Sequence, residues 1–192
     1  LKDLRRLAAA LVQGTNALHR AGFGLDGTTG NDFFAPLSLA TTAASAGASV
    51  ASATVTDPAA LTLSEYRISF GAGNAYTVAN RDSGTVVASG TYTSGTPIDF
   101  DGIRVVVAGT VAAGDAFTVS PLAGAVSNLG VAVSDPRKIA AASGAAGVPG
   151  DNTNALRIAG LADSAVASLG NATFSGYYSG IVEKAGSLAQ DA

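Results

Sequence analysis

Thr15-Asn16-Ala17-Leu18-His19-Arg20-Ala21-Gly22-Phe23-Gly24-Leu25-Asp26-Gly27-Thr28-Thr29-Gly30-Asn31-Asp32-Phe33-Phe34 is the stretch where one periodicity ends and another begins. Upstream of its end, Leu1, Leu4, Ala8, Leu11, Thr15 and Leu18 recur at a four-then-three spacing, and Leu7 and Val12 widen the stripe. That spacing predicts an amphipathic helix. Gly14 is tolerated inside it, and Gly22 with Gly24 supplies the stop. A helix that starts uncapped, with its first residue already on the apolar stripe, is expected to be part of a longer natural helix.

Downstream the period falls to two. Tyr66, Ile68 and Phe70 alternate with Arg67 and Ser69, and Tyr76 and Val78 follow the turn Gly71-Ala72-Gly73-Asn74. Further strands are expected at Thr85 to Ser89, Ile98 to Phe100, Ile103 to Val107 and Ala116 to Ser120. Asp82-Ser83-Gly84, Ser94-Gly95-Thr96-Pro97, Asp101-Gly102 and Ala113-Gly114-Asp115 separate them. Asp101-Gly102 between apolar runs is the clearest hairpin signal. The region reads as an antiparallel meander of about six strands, a small sandwich or half-open barrel. Ala35 to Asp57 and Leu122 to Gly150 read as linkers that are part strand, including Val131 to Val133, with a short helix over Pro136 to Ser143. If these small-residue linkers act as hinges, Ala35 to Thr56 or Ala123 to Ser134 should be more mobile than the helices.

Helical spacing returns after Gly150-Asp151-Asn152-Thr153, where Asp151 or Thr153 can cap. Ala155, Ile158, Ala162, Ala165 and Leu169 mark one face, and Gly170-Asn171 ends it. A last helix starts near Thr173, with Phe174, Tyr178, Ile181, Ala185 and Leu188 on one stripe, and is expected to continue beyond Ala192. The fold class is therefore α+β and multi-domain: a helical bundle or coiled-coil rod, with an antiparallel β-domain inserted in it. Residues 1–34 form the first part of the bundle, 35–135 the β-rich insert with its linkers, and 136–192 the second part. Leu4, Leu11, Leu18, Ile158, Leu169, Phe174, Tyr178, Ile181 and Leu188 are candidates for helix packing or assembly. Bundle-core and assembly-seam residues share the same spacing, so both roles stay open.

Composition removes most chemistry. Of 192 residues, 47% are hydrophobic, enough for a core, and only 13% are charged. The net charge of −3 and singly scattered Lys and Arg offer no basic surface for nucleic acid. With no Cys and only His19, neither disulfides nor a thiolate or multi-histidine metal site can be built from one chain. The uncharged run Phe33 to Thr56 contains Pro36 and is mostly Ala, Ser and Thr, which fits a linker or edge strand better than a membrane span. The charged start Leu1-Lys2-Asp3-Leu4-Arg5-Arg6 is no secretory signal.

The remaining motifs have structural explanations. Gly22-Phe23-Gly24-Leu25-Asp26-Gly27 fits G-x-G-x-x-G by letter, but a helix precedes it and none follows, which is the wrong context for a dinucleotide. Asp26, Asn31 and Asp32 miss calcium-loop spacing because Thr28 and Gly30 fall at the ligand positions; local bonds to turn N–H groups suit Asp26 and Asp32 better. His19 is expected to bond a carbonyl at the helix end and, with Arg20, to complement the helix dipole. No G-x-S-x-G elbow supplies it with a nucleophile. Asn171-Ala172-Thr173 reads as a helix cap rather than a glycosylation acceptor, and Tyr66, Tyr76, Tyr92, Phe100 and Phe117 read as strand core rather than a stacking face. No residue is assigned a catalytic, cofactor-binding or metal-binding role.

In order along the chain, N-x-L-H-x-x-G-x-x-L-x-G-x-x-G-x-x-F-F from Asn16 to Phe34, the β-region with Tyr66-Arg67-Ile68-Ser69-Phe70 and Phe100-Asp101-Gly102-Ile103, Asp135-Pro136-Arg137-Lys138-Ile139-Ala140, and Gly150-Asp151-Asn152-Thr153-Asn154-Ala155-Leu156 resemble the C-terminal half of the bacterial flagellar hook-associated protein 1 family. The resemblance implies that the β-region is D2-like. It also implies a non-enzymatic structural protein, exported by the flagellar type III apparatus to the extracellular flagellum, that joins hook to filament. Implied partners are further copies in a ring, hook protein, the second junction protein and an export chaperone, with no cofactor, nucleic acid or membrane. Other flagellar axial proteins are the nearest alternative, and the Asn16 to Phe34 pattern separates them. An extracellular adhesin or carbohydrate-binding module would need an exposed aromatic or acidic groove.

Overall fold

The computed structural model describes residues 1–190. They divide into two compact units, one made of Leu1–Pro36 together with the chain from Ala125 onward, the other of Leu37–Gly124.

The Leu37–Gly124 unit is antiparallel β throughout. Its strands are β1 (Ala40–Ala44), β2 (Ala48–Val55), β3 (Tyr66–Phe70), β4 (Ala75–Asn80), β5 (Val86–Thr91), β6 (Pro97–Phe100), β7 (Ile103–Gly109) and β8 (Ala116–Ser120). A five-stranded sheet has the order β1-β8-β3-β4-β5, and a three-stranded sheet the order β2-β7-β6. The six strands expected from periodicity are all present, but the order is not a meander: β8 inserts between β1 and β3, and β2 pairs with β7. Both additional strands come from the stretch read as the first linker. Ala35 to Asp57 is thus largely paired backbone, with ladder hydrogen bonds over Ala40–Ala44 and Ala48–Val55. β1 and β2 are edge strands, as the uncharged run allowed.

Inward residues of both sheets interdigitate. Tyr66, Ile68, Val78, Ile103, Val105, Val107, Phe117 and Val119 are sealed from solvent, with Phe70, Tyr92, Ile98 and Phe100 nearly so. Four of the five aromatics weighed as a stacking face therefore lie in the core, where Phe70 meets Phe117 edge-on at 5.8 Å. Asp101-Gly102 makes the β6–β7 hairpin, Phe100 opposite Ile103, with φ of 42° and 74° at the two turn residues. Positive φ at both central positions gives the turn the twist that strands require. A β-carbon on Gly102 would also strike the Asp57 carbonyl. At the corner between β1 and β2, the Ser45 hydroxyl donates to Asp115 (2.7 Å) and accepts the Ala48 N–H (3.1 Å).

The other unit holds the helices α1 (Lys2–Ala21), α2 (Thr153–Ala159) and α3 (Phe174–Gln190). α1 ends at Gly22 as expected, but its buried face runs through Ala9, Val12, Asn16 and His19. That face is rotated from the leucine stripe, and Leu1 and Leu4 are exposed. The helix expected over Thr153 to Leu169 is only seven residues long, followed by 3₁₀ turns at Gly160–Asp163 and Ala167–Leu169. Ser164 explains the break: it leaves the helical region, and its hydroxyl donates to the Gly160 carbonyl at 2.7 Å, competing with the backbone ladder. Pro136–Lys138 is a single 3₁₀ turn rather than a helix, and Val131 makes only an isolated bridge to Phe34. Thr173 caps α3 by accepting the Gly176 N–H at 3.1 Å. α1 and α3 are tied by an ion pair, Lys184 to Asp3, at 3.2 Å.

Candidate functional site

The stretch that opened the reading is the place where the helical unit is fastened. α1 delivers Asn16 and His19, three residues apart, to its buried face. The Asn16 carbonyl oxygen accepts the N–H groups of Phe33 (3.0 Å) and Phe34 (2.9 Å), and its amide donates to the Phe34 carbonyl (2.9 Å). One side chain thereby replaces a strand edge for the loop that leaves α1.

His19 is fully buried and bridges two segments far apart in sequence. A carbonyl only accepts and an amide N–H only donates, so the partners fix the tautomer. Nδ1–H donates to the Asn31 carbonyl at 2.7 Å, and Nε2 accepts the Ala140 N–H at 3.0 Å. The expected carbonyl bond is there, but to the loop and not to the helix end. Asn154 of α2 completes the knot, donating to the Leu18 carbonyl (3.0 Å) and the Ala140 carbonyl (2.7 Å). A β-carbon on Gly22 would collide with that amide, which explains glycine there despite an ordinary φ of −98°.

Acidic side chains finish the turns. Asp26 accepts the Thr28 N–H (2.9 Å) and hydroxyl, and these bonds hold its carboxyl below the usual range. Asp32 pairs with Arg20 at 2.6 Å instead of binding turn N–H groups. Asp151 accepts the Ser143 hydroxyl and N–H and the Thr153 N–H, which push its carboxyl far down. The Arg137 guanidinium beside Asp135 lowers that carboxyl to about 2. Asp26 and Asp135 are spent on donors of their own turns, Asp32 on Arg20 of α1, and Asp151 on Ser143 and Thr153. Among the described residues no three acidic or histidine side chains group as a metal site would need.

Beside the knot lies an apolar groove of about 490 Å³, lined in part by Leu11, Phe33, Phe34, Ile158, Leu161 and Phe174. It unites three of the sequence-selected residues, Leu11, Ile158 and Phe174. The others lie elsewhere: Leu169 is buried, Leu18 and Ile181 are half-buried, and Leu4, Tyr178 and Leu188 are 37%, 54% and 65% exposed. The leucine pattern did not select Asn16, Gly22 or Asn154. The available signal was an Asn inside a helix, where that residue is disfavoured unless its side chain has a partner.

Residues 39–121 match the family model described as flagellar hook-associated protein 1, D2-like domain. Over 95% of its length the chain is 34% identical to flagellar hook-associated protein 1 of Escherichia coli (strain K12), and 29% identical to that of Salmonella typhimurium. It spans about a third (34%) of each of those relatives. Among solved structures it resembles the flagellar hook junction protein FlgK from Burkholderia pseudomallei, with a TM-score of 0.59 and 30% identity over 73% of this chain and 26% of that one. The chain is thus similar along nearly its whole length to flagellar hook-associated protein 1, and residues 39–121 match the D2-like domain of that family.

Proposed function

We propose that this chain is part of a structural component of the bacterial flagellum that joins hook to filament by subunit packing and mechanical coupling, without catalysis. The observation that carries the reading is the 34% identity with a flagellar hook-associated protein maintained over 95% of the chain. In the full-length protein, copies form a ring that meets hook protein on one side and the second junction protein on the other, after export by the flagellar type III apparatus with its chaperone. α1 and α3 belong to a helical rod there, and the nine selected residues pack it or its seams. Exposed Tyr178 and Leu188 on α3 are the natural seam positions, because neither is used for burial within the chain.

Electron microscopy of hook–filament junctions tests this. Cells lacking the gene should carry hooks with detached or missing filaments, and the full-length gene should restore them. Full-length protein with Tyr178→Ser and Leu188→Ser should be exported at the normal level yet restore filaments poorly. Normal filaments in the deletion strain would refute the reading.

A further inference from the structure

His19 is the single histidine of the chain, and its burial leaves no spare capacity on the ring. Nδ1 already carries a hydrogen for the Asn31 carbonyl, so a second proton can enter only at Nε2, the atom that accepts the Ala140 N–H. Protonation would turn that bond into two donors facing each other. It would also place a positive charge on a ring sealed from solvent.

Acids on the surrounding elements are bound or exposed: Asp163, next to the groove-lining Leu161 and Ala162, and Glu183 of α3 lie at the surface. α1 contributes Arg20, paired with Asp32 of the loop at 2.6 Å. The loop also holds Asp26, bound to Thr28. The returning segment carries Asp135 and Arg137, paired at 2.8 Å, and Lys138. Beyond it, Asp151 is bound to Ser143 and Thr153, and α2 offers only Arg157. The groove next to the ring is lined by apolar residues and Thr15.

We infer that His19 is a proton-operated latch: the neutral ring holds the chain around Ala140 on α1, and the imidazolium releases it. Asn154 donates to the carbonyl of the same Ala140 and to Leu18, so the release passes directly to the α1–α2 contact. Stability of this unit is present while the ring is neutral and is lost when the ring takes up a proton, because the opened state can solvate the added charge. The β unit contains no histidine and does not share this response.

Nuclear magnetic resonance on the whole chain tests this in two ways. Long-range ¹⁵N correlations at neutral pH should show the Nδ1–H tautomer. Between about pH 7 and pH 5, the protection of the Ala140 amide against hydrogen exchange should fall. The fall, corrected for intrinsic exchange, should approach roughly tenfold per pH unit where the opened ring is charged and the closed ring is still neutral, while the Ile68 and Val105 amides stay protected. His19→Gln, which can accept from Ala140 but cannot titrate, should leave Ala140 protection flat over that interval. An Nε2–H tautomer, or Ala140 protection that persists while the ring titrates, would overturn the inference.

Discussion

The two units bury their interiors with opposite materials. The Leu37–Gly124 unit closes on apolar side chains, with Tyr66, Ile68, Phe117 and Val119 sealed from water. Among its described residues the helical unit buries four polar ones, Thr15, Asn16, His19 and Asn154, among mostly small apolar ones: Ala9, Ala10, Val12, Ala125, Ala140, Ala142 and Leu169. Apolar burial is non-directional and tolerates exchange of similar shapes, whereas a buried amide or imidazole stabilises only when its partners are in place. The β unit should therefore respond to lost volume, and the helical unit to lost partners.

The largest effect is expected from Phe117→Ala. It empties a site between β1 and β3 and should cost about 3–5 kcal/mol, read as a shift in the denaturation midpoint of the β unit. A loss below about 1 kcal/mol would show that this core relaxes around cavities. Asn16→Ala should come next. It strands the N–H groups of Phe33 and Phe34 and should cost about 1–3 kcal/mol, with faster amide exchange at those two residues and none in β3 or β7. A uniform loss across both units would erase the distinction drawn here.

Asp151→Asn sharpens the comparison through pH. The Asp151 carboxyl is depressed by its bonds to Ser143 and Thr153, so its contribution is present above the ordinary aspartate value and is lost as pH falls below it. Acid unfolding of the helical unit should have a shallower pH dependence in Asp151→Asn than in the native chain. Equal slopes would mean that these bonds do not hold the turn. The smallest effect is expected from Leu188→Ser. Its side chain is 65% exposed, so the chain alone should change by no more than about 0.5 kcal/mol. A larger loss would place Leu188 inside the fold rather than at a seam.

Strands β3 to β8 were legible because a half-buried strand writes its burial into alternate residues, and Asp101-Gly102 was legible because both turn residues need positive φ. β1 and β2 were not. Ala40–Ala44 and Ala48–Val55 are edge strands of mostly small residues, and a bulge between Val50 and Ser52 interrupts the alternation of β2. The early end of α2 depended on whether Ser164 bonded the Gly160 carbonyl, a choice that local spacing does not record.

The amino-acid sequence by itself determined the element types, the end of α1 at Gly22, the β core and, through the ordered motifs, the family resemblance. Each of these is written in neighbouring residues by period, turn chemistry or composition. Only the tertiary structure decided the partner of β8, the buried face of α1 and the joining of His19 to Ala140, 121 positions away. Hydrogen bonds between distant backbone and side-chain groups leave no periodic trace, because any residue with an N–H can be the donor.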